Sequence, residues 1–295
     1  MRVTNQQTHQ ARLAEIMNGQ EALAEAQARV STGKKVLKPS DAPGQIAELL
    51  RIKSKSVELG RRKSSIDEMT PTMQATESTL GDITTALRSA KTLAQQAANA
   101  ATSDDQRALI ADQIRDLRER ITYLANTQSN GRQIFSGTDV NARPFDPNNP
   151  GAYAGNTTQL EMETPDGSPF PSSVTGEQLR NVTGGQDMFQ GLVALENAVR
   201  TGDTAGIANG QGRLDADINH TIALRGDMGQ RLQYAQWASD RISGDLDTQE
   251  ARRSQIQDAD MAEAITDAAR LENGQQATLA MAARLNGPSL LDYLR

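Results

Sequence analysis

The sequence predicts a mainly α protein, an elongated antiparallel helical bundle or coiled coil with a small β-rich insert. Three observations carry that reading. Apolar residues recur at three- and four-residue steps over long stretches, the period of helices that bury one narrow stripe. Aromatic residues make up only 3% of the 295 residues, too few for the aromatic payload of a thick globular core. The helical period then vanishes over residues 137–186, where Gly, Pro, Asn, Asp and Thr concentrate.

The first element runs from His9 to Val30, with a 4-3 seam of His9, Leu13, Ile16, Gln20, Leu23, Gln27 and Val30. It should stop at Ser31-Thr32-Gly33, because Gly33 accepts the left-handed conformation that ends many helices. After the loop Lys34 to Pro39, Ser40 or Asp41 is placed to cap a second helix, with Pro43 in its first turn. That helix carries Ile46, Leu49, Leu50 and Ile52 and reaches about Leu59. A long seam follows: Ile66, Met69, Met73, Thr76, Leu80, Ile83, Leu87, Ala90, Ala94, Ala97 and Ala101. Pro71 lies inside it, so a kink or a helix start near Thr70 is expected. Ser103-Asp104-Asp105-Gln106 has the spacing of a capping box. It opens a helix with the seam Ile110, Ile114, Leu117, Ile121, Leu124, Gln128 and Gly131, antiparallel to the one before.

In the insert, Leu160, Met162 and Thr164 alternate before Pro165-Asp166-Gly167, and Asp-Gly is a strong hairpin signal. Tyr153, Phe170 and Val174 give the insert apolar groups to bury. Helical patterning returns at Phe189, Leu192, Val193, Leu195 and Val199. A Gly-rich break spans Thr201 to Gly212, and then Leu214, Ile218, Met228, Leu232, Ala235, Ile242, Leu246 and Ile256 share one register. The last seam is Met261, Ala264, Ala268, Leu271, Gln275, Thr278, Ala282 and Leu285. Together these elements define terminal helices at 1–40 and 257–295, a helical rod at 41–136 and 187–256, and the insert at 137–186.

The two terminal seams are the chain's most telling feature. Each has the heptad period of a helix that packs along a partner. Each is diluted with Gln, Thr and Ala, and isolated helices of this kind are marginal in water. The ends are therefore expected to be disordered in the monomer and to gain order by pairing between copies. Leu13, Ile16, Leu23, Val30, Leu271, Leu279 and Leu285 are the candidate assembly residues.

Little in the sequence points to chemistry. There is no Cys, and the two histidines, His9 and His220, lack metal-ligand spacing. Asp258, Asp260 and Glu263 stand where a helix N-terminus favours carboxylates on electrostatic grounds alone. Gly184-Gly185 and Gly206 to Gly212 lack the Lys-Ser/Thr of a phosphate loop, and there is no nucleophile-elbow motif. The expectation is a structural protein, not an enzyme, with no cofactor and no bound metal. The net charge of -6 argues against nucleic acid as a partner. The first residues lack a signal-peptide apolar core, and no run has the length of a membrane span. Membrane insertion is not expected.

Three segments resemble the bacterial flagellin superfamily. Ser31-Thr32-Gly33-Lys34-Lys35-Val36 with Pro39-Ser40-Asp41-Ala42-Pro43 is similar to its N-terminal signature. Ile134-Phe135-Ser136-Gly137-Thr138 with Pro144-Phe145 is similar to the exit from its central helical pair. Ile256-Gln257-Asp258-Ala259-Asp260-Met261-Ala262-Glu263-Ala264 and the tail Ser289-Leu290-Leu291-Asp292-Tyr293-Leu294 are similar to its C-terminal signature. The Met1-Arg2-Val3-Thr4 start and the Leu-Leu-Asp-Tyr-Leu ending are closer to the superfamily's hook–filament junction branch than to filament subunits. The alternative within the superfamily is a short flagellin that forms the filament itself. A flagellin-like exported enzyme and an unrelated coiled-coil adaptor are more distant alternatives.

The resemblance implies export through the flagellar type III channel to an extracellular position, without a cleaved signal. It implies an inner tube built from the terminal helices, self-association in a helical layer, and contact with a neighbouring hook-associated protein and flagellin. It also implies an export chaperone on the C-terminal segment, with Leu290, Leu291 and Leu294 as candidate contacts.

Overall fold

The computed structural model describes residues 2–99, 103–182 and 186–285, with side chains left undescribed at 1–6, 8, 9, 182 and 186 and beyond 282. The described residues form seven α-helices and three two-stranded antiparallel pairs, as the sequence pattern requires. They divide into two compact units: Met1–Val57 with Leu246–Arg295, and Glu58–Asp245.

In the larger unit, α2 (Pro43–Ala97) brings in the long seam. Its members Ile66, Met73, Thr76, Leu80, Ile83, Leu87, Ala90, Ala94 and Ala97 are all buried, while Met69 is half-buried. The helix runs uninterrupted through Leu59 and Pro71, so the expected boundaries at those residues are absent. Proline tolerates this position because Pro71 faces solvent. There, water can satisfy the carbonyl that loses its N–H partner. Beside it, Thr70 Oγ1 donates to the Ile66 carbonyl at 2.8 Å.

Helix α3 (Asp104–Ala125) opens on the Ser103 capping box: Gln106 N–H donates to Ser103 Oγ, and Ser103 N–H to Gln106 Oε1. It ends earlier than the seam suggested. Gln128 and Gly131, which continue the helical phase in sequence, instead belong to a tight hairpin of β1 (Gln128–Ser129) and β2 (Arg132–Gln133). Asn130 (φ 52°) and Gly131 (φ 75°) both lie in the left-handed region, which an Asn-Gly turn supplies at low cost.

The insert holds β3 (Glu161–Glu163) and β4 (Pro169–Pro171), paired around Gly167 (φ 92°) as the Asp-Gly signal indicated. Two adjacent arginines of α2 grip this hairpin. Arg61 makes a fork with Glu163 at 2.8 and 2.9 Å, and buried Arg62 donates to the Pro165 carbonyl at 2.6 Å and pairs with Glu58. A short helix α4 (Gly176–Arg180) and the strands β5 (Asn181–Val182) and β6 (Gln186–Asp187) lead into α5 (Met188–Thr201). Phe135, Phe145 and Phe189 are fully buried, and Phe145 packs against both Tyr153 and Phe189 with centroids 5.4 and 4.7 Å apart.

The Gly-rich break is shorter than the sequence suggested. Helix α5 ends at Gly202 (φ 69°), and α6 (Thr204–Gln257) starts two residues later and passes through Gly206, Gly210 and Gly212. Close approach explains a glycine inside this helix: a Cβ on Gly210 would stand 2.7 Å from Leu195 Cδ1. Polar pairs join α6 to α2, including Arg225 Nε to Glu77 Oε1 (2.6 Å) and Lys63 Nζ to Ser239 Oγ (3.1 Å). Asp217 of α6 is buried, 5% exposed, opposite Gly191 of α5. Burial pushes its carboxyl up to about 7, which Arg213 opposes and Asp187 reinforces.

Candidate assembly surface

In the smaller unit, α1 (Arg2–Thr32) packs against α7 (Met261–Leu285). Local sequence fixes how they meet. Helix α1 stops on Gly33 (φ 68°), the left-handed residue the sequence placed there. Helix α7 starts on Asp260, whose Oδ1 accepts from the N–H groups of Ala262 (2.9 Å) and Glu263 (3.3 Å). Between them the chain forms an antiparallel bridge, Lys34 opposite Asp258. Ala259 N–H donates to the Gly33 carbonyl and Lys35 N–H to the Gln257 carbonyl, each at 2.8 Å. Lys35 Nζ adds a bond to the Gln255 carbonyl at 2.9 Å.

The loop after the bridge is braced by Asp41, which was expected to cap the second helix. Its Oδ2 reaches backwards instead, accepting from the N–H groups of Leu37 (2.8 Å) and Lys38 (2.7 Å). The Lys38 amide, then that of Leu37, holds the Asp41 carboxyl below the usual carboxylate range. Ala42 takes the cap position, its carbonyl accepting from Ile46 N–H at 3.1 Å.

The bridge sets the register of the helix pair. Gly33 faces the Met261 sulfur, and Gly19 faces the Gln275 side-chain amide, where a Cβ would stand 2.9 Å from Oε1. Both pairs of numbers sum to 294 (33 with 261, 19 with 275), as an antiparallel pair in constant register requires. The same sum sets Leu23 level with Leu271, Val30 with Ala264, and Ile16 with Thr278.

The candidate assembly residues divide on this geometry. Ile16, Leu23, Val30 and Leu271 are half-buried along the pair. Leu13 and Leu279 are 49% and 46% exposed. The side chain of Leu285, and Leu290, Leu291 and Leu294, lie outside the described residues. Apolar residues that the seams passed over also stand in water: Met17, Ile265 and Met281 are 66%, 54% and 69% exposed. Within α1 only Ala26, among the described side chains, is fully buried. The helix pair thus covers one stripe and leaves large apolar side chains of both helices exposed outside it.

The described positions that were considered for chemistry have structural surroundings. His220 Nε2 lies 2.7 Å from the Gln178 carbonyl oxygen, while the His9 side chain is outside the described residues. Asp258 and Asp260 belong to the bridge and the cap. Among the described residues no group of three or more His, Asp or Glu side chains is placed to hold a metal ion. No described helix is long and apolar enough to cross a membrane.

Comparison with known proteins agrees with this geometry. The model of the bacterial flagellin N-terminal helical region matches residues 3–140, and that of the C-terminal helical region matches residues 212–294. Flagellar hook-associated protein 3 of Salmonella typhimurium is 26% identical over an alignment covering 100% of both chains. Its Escherichia coli counterpart is 29% identical over 61% of this chain and 56% of its own. Among solved structures, flagellar hook-associated protein 3 of Legionella pneumophila superposes with a TM-score of 0.62 at 14% identity. That superposition covers 70% of this chain and 98% of the other. The two family regions enclose the insert and contain both α1 and α7, so the chain belongs to the bacterial flagellin family.

Proposed function

We propose that this chain is a structural subunit of the bacterial flagellum. It forms the junction layer between a neighbouring hook-associated protein and the flagellin filament. The observation that carries the reading is the pair α1 and α7, which leaves Leu13, Met17, Ile265, Leu279 and Met281 largely in water. An apolar side chain gains about 1.5–3 kcal/mol when it is fully buried. Two helices with such exposed residues, in a flagellin-family chain similar over its full length to a hook-associated protein 3, are suited to a tube built from several copies. The work of the protein is mechanical joining, not catalysis.

Leu13, Ile16, Leu23, Val30, Leu271, Leu279 and Leu285 make the inner contacts of this layer. Ordering a residue costs about 1–2 kcal/mol, so α1 and α7 become stably ordered only when neighbours bury the side chains left exposed. Before assembly an export chaperone covers the C-terminal segment through Leu290, Leu291 and Leu294, and the chain leaves the cell through the type III channel. Limited proteolysis of the purified monomer should remove the termini and spare Glu58–Asp245, since helices tied only to each other through a half-buried stripe open and are cut first.

The deciding experiment is deletion of the gene. Hooks should remain while flagellin is lost to the medium, and complementation with Leu13→Asp should fail to restore motility. Normal filaments after deletion would remove the junction reading. A copy number on the scale of the filament would favour the short-flagellin alternative.

A further inference from the structure

Helices α2 and α6 both run without a break past the limits of the two compact units, at Val57–Glu58 and Asp245–Leu246. Each carries a glycine just inside the larger unit, Gly60 on α2 and Gly244 on α6. Glycine is the least favourable helix residue after proline, because its backbone has the most freedom to lose. A close neighbour explains other helix glycines of this chain: Gly210 faces Leu195, and Arg225 Cζ would lie 3.5 Å from a Cβ on Gly81. Neither Gly60 nor Gly244 has that reason. Leaving aside the adjoining helix backbone and flanking residues, no atom lies within 4 Å of a Cβ built on either.

The two glycines stand at nearly one level of the α2–α6 pair. Lys63 meets Ser239 and Glu77 meets Arg225, and both pairs of numbers sum to 302. By that register Gly244 is level with Glu58, about 3 Å along the axis from Gly60. The adjoining turns share a second trait. Ser64 Oγ donates to the Gly60 carbonyl at 3.0 Å, and Ser243 Oγ donates to the Ser239 carbonyl at 2.9 Å. A hydroxyl bonded one turn back shares the carbonyl with the helical N–H, so the helical bond can lengthen without leaving that oxygen bare. Gly next to Ser is one of the few settings in which helices kink sharply.

Support for the helices changes at the same level. On the larger unit's side, Arg61 and Arg62 fix α2 to the β3–β4 hairpin, and Ile66, Ala238 and Ile242 are buried. On the other side, Leu50 and Val57 of α2 are 62% and 66% exposed and line an open groove of about 560 Å³ with Glu250 and Arg253 of α6.

We propose that Gly60 and Gly244 form a paired hinge, at which α2 and α6 bend together and redirect the chain on the smaller unit's side. Hinges are a few residues, often small, that absorb the backbone change. Leu59 and Ile242, both fully buried at this level, serve as the pivot. Because two helices cross the same level, neither bends alone. The hinge goes beyond the junction reading and does not depend on it.

Hydrogen exchange of the purified full-length chain tests the hinge. Amides 61–65 and 244–248 should exchange at least roughly tenfold faster than those of the turns on either side. Gly60→Ala, at a site with room for the methyl group, should slow exchange at 61–65 about fivefold. It should also slow exchange at 244–248, across on α6, and Gly244→Ala should act on both segments in the same way. Gly212→Ala, equally unobstructed but remote, should leave both segments unchanged. Equal exchange from residue 46 through 65, the pattern of a fraying end, overturns the inference. Slowing confined to the substituted helix overturns it as well. Neither result touches the junction reading, which falls instead if deletion of the gene leaves normal filaments.

Discussion

Asp217 gives the protein a measurable dependence on pH. Its carboxyl is buried on α6 and is pushed from 3.8 up to about 7. The folded state therefore holds this proton more tightly than the unfolded chain does. By linkage, the favourable contribution is fully present below pH 3.8 and is lost as pH rises towards 7. The difference of about 3 pH units at 1.36 kcal/mol each is about 4 kcal/mol at pH 8, of which only about 1.5 kcal/mol has been lost by pH 5. Asp217→Asn removes the titrating proton and keeps the shape. Relative to the parent, the variant should therefore gain about 2.5 kcal/mol more at pH 8 than at pH 5. A domain of this size shifts by about 2–4 °C per kcal/mol, so the gap in Tm gain should be about 5–10 °C. Thermal unfolding followed by far-UV circular dichroism at the two pH values measures it. An identical Tm gain at both values would refute a buried, proton-holding Asp217. So would a larger gain at pH 5.

Gly210→Ala should destabilise the α5–α6 packing by about 1 kcal/mol. The helix-propensity gain of roughly 1 kcal/mol is outweighed by overpacking of about 1–3 kcal/mol against Leu195, and adding Leu195→Ala should make the two changes non-additive in urea unfolding. Gly167→Ala should cost about 1–3 kcal/mol, because φ is 92° and the new Cβ would stand 2.6 Å from Arg62 Nη2. Near-UV circular dichroism, which reads Phe170 of this hairpin stacked on Tyr234 of α6 (centroids 4.3 Å apart), should change with it. Asp41→Ala should raise hydrogen exchange at the Leu37 and Lys38 amides. In the parent chain the same exchange should rise as pH falls through the depressed Asp41 pKa, after correction for the intrinsic rate.

Long periodic helices were the most legible part of the sequence, because a stripe of the right period has few other structures in which to bury itself. Gly33, the Ser103 box and the Asp166-Gly167 turn were legible for a related reason, since each solves a local backbone problem. The seam ending in Gln128 and Gly131 shows the weakness of period alone. Those residues keep the helical phase by position but bring no apolar surface, and the Asn-Gly turn between Ser129 and Arg132 decides the local conformation. Pro71 shows the opposite error, a helix-breaking signal outweighed by a seam buried on both sides of it. In the α1–α7 pair the half-buried stripe was readable from sequence. The outer apolar residues Met17, Ile265 and Met281 were not, because single apolar residues off a seam carry no periodic signal.

The bridge between Lys34 and Asp258 also works as a common origin from which both ends of the chain are counted. Helix α1 is measured backwards from it and α7 forwards. The bridge pair itself sums to 292; past the turn into α7 the helices settle two residues on, so that positions summing to 294 stay level. Length along one end is thereby matched to length along the other. A deletion of one heptad within α1 would slide every position beyond it out of step with α7. A compensating heptad removed from α7 at the same level would bring the two back together. The ends of this chain can thus shorten or lengthen only as a pair.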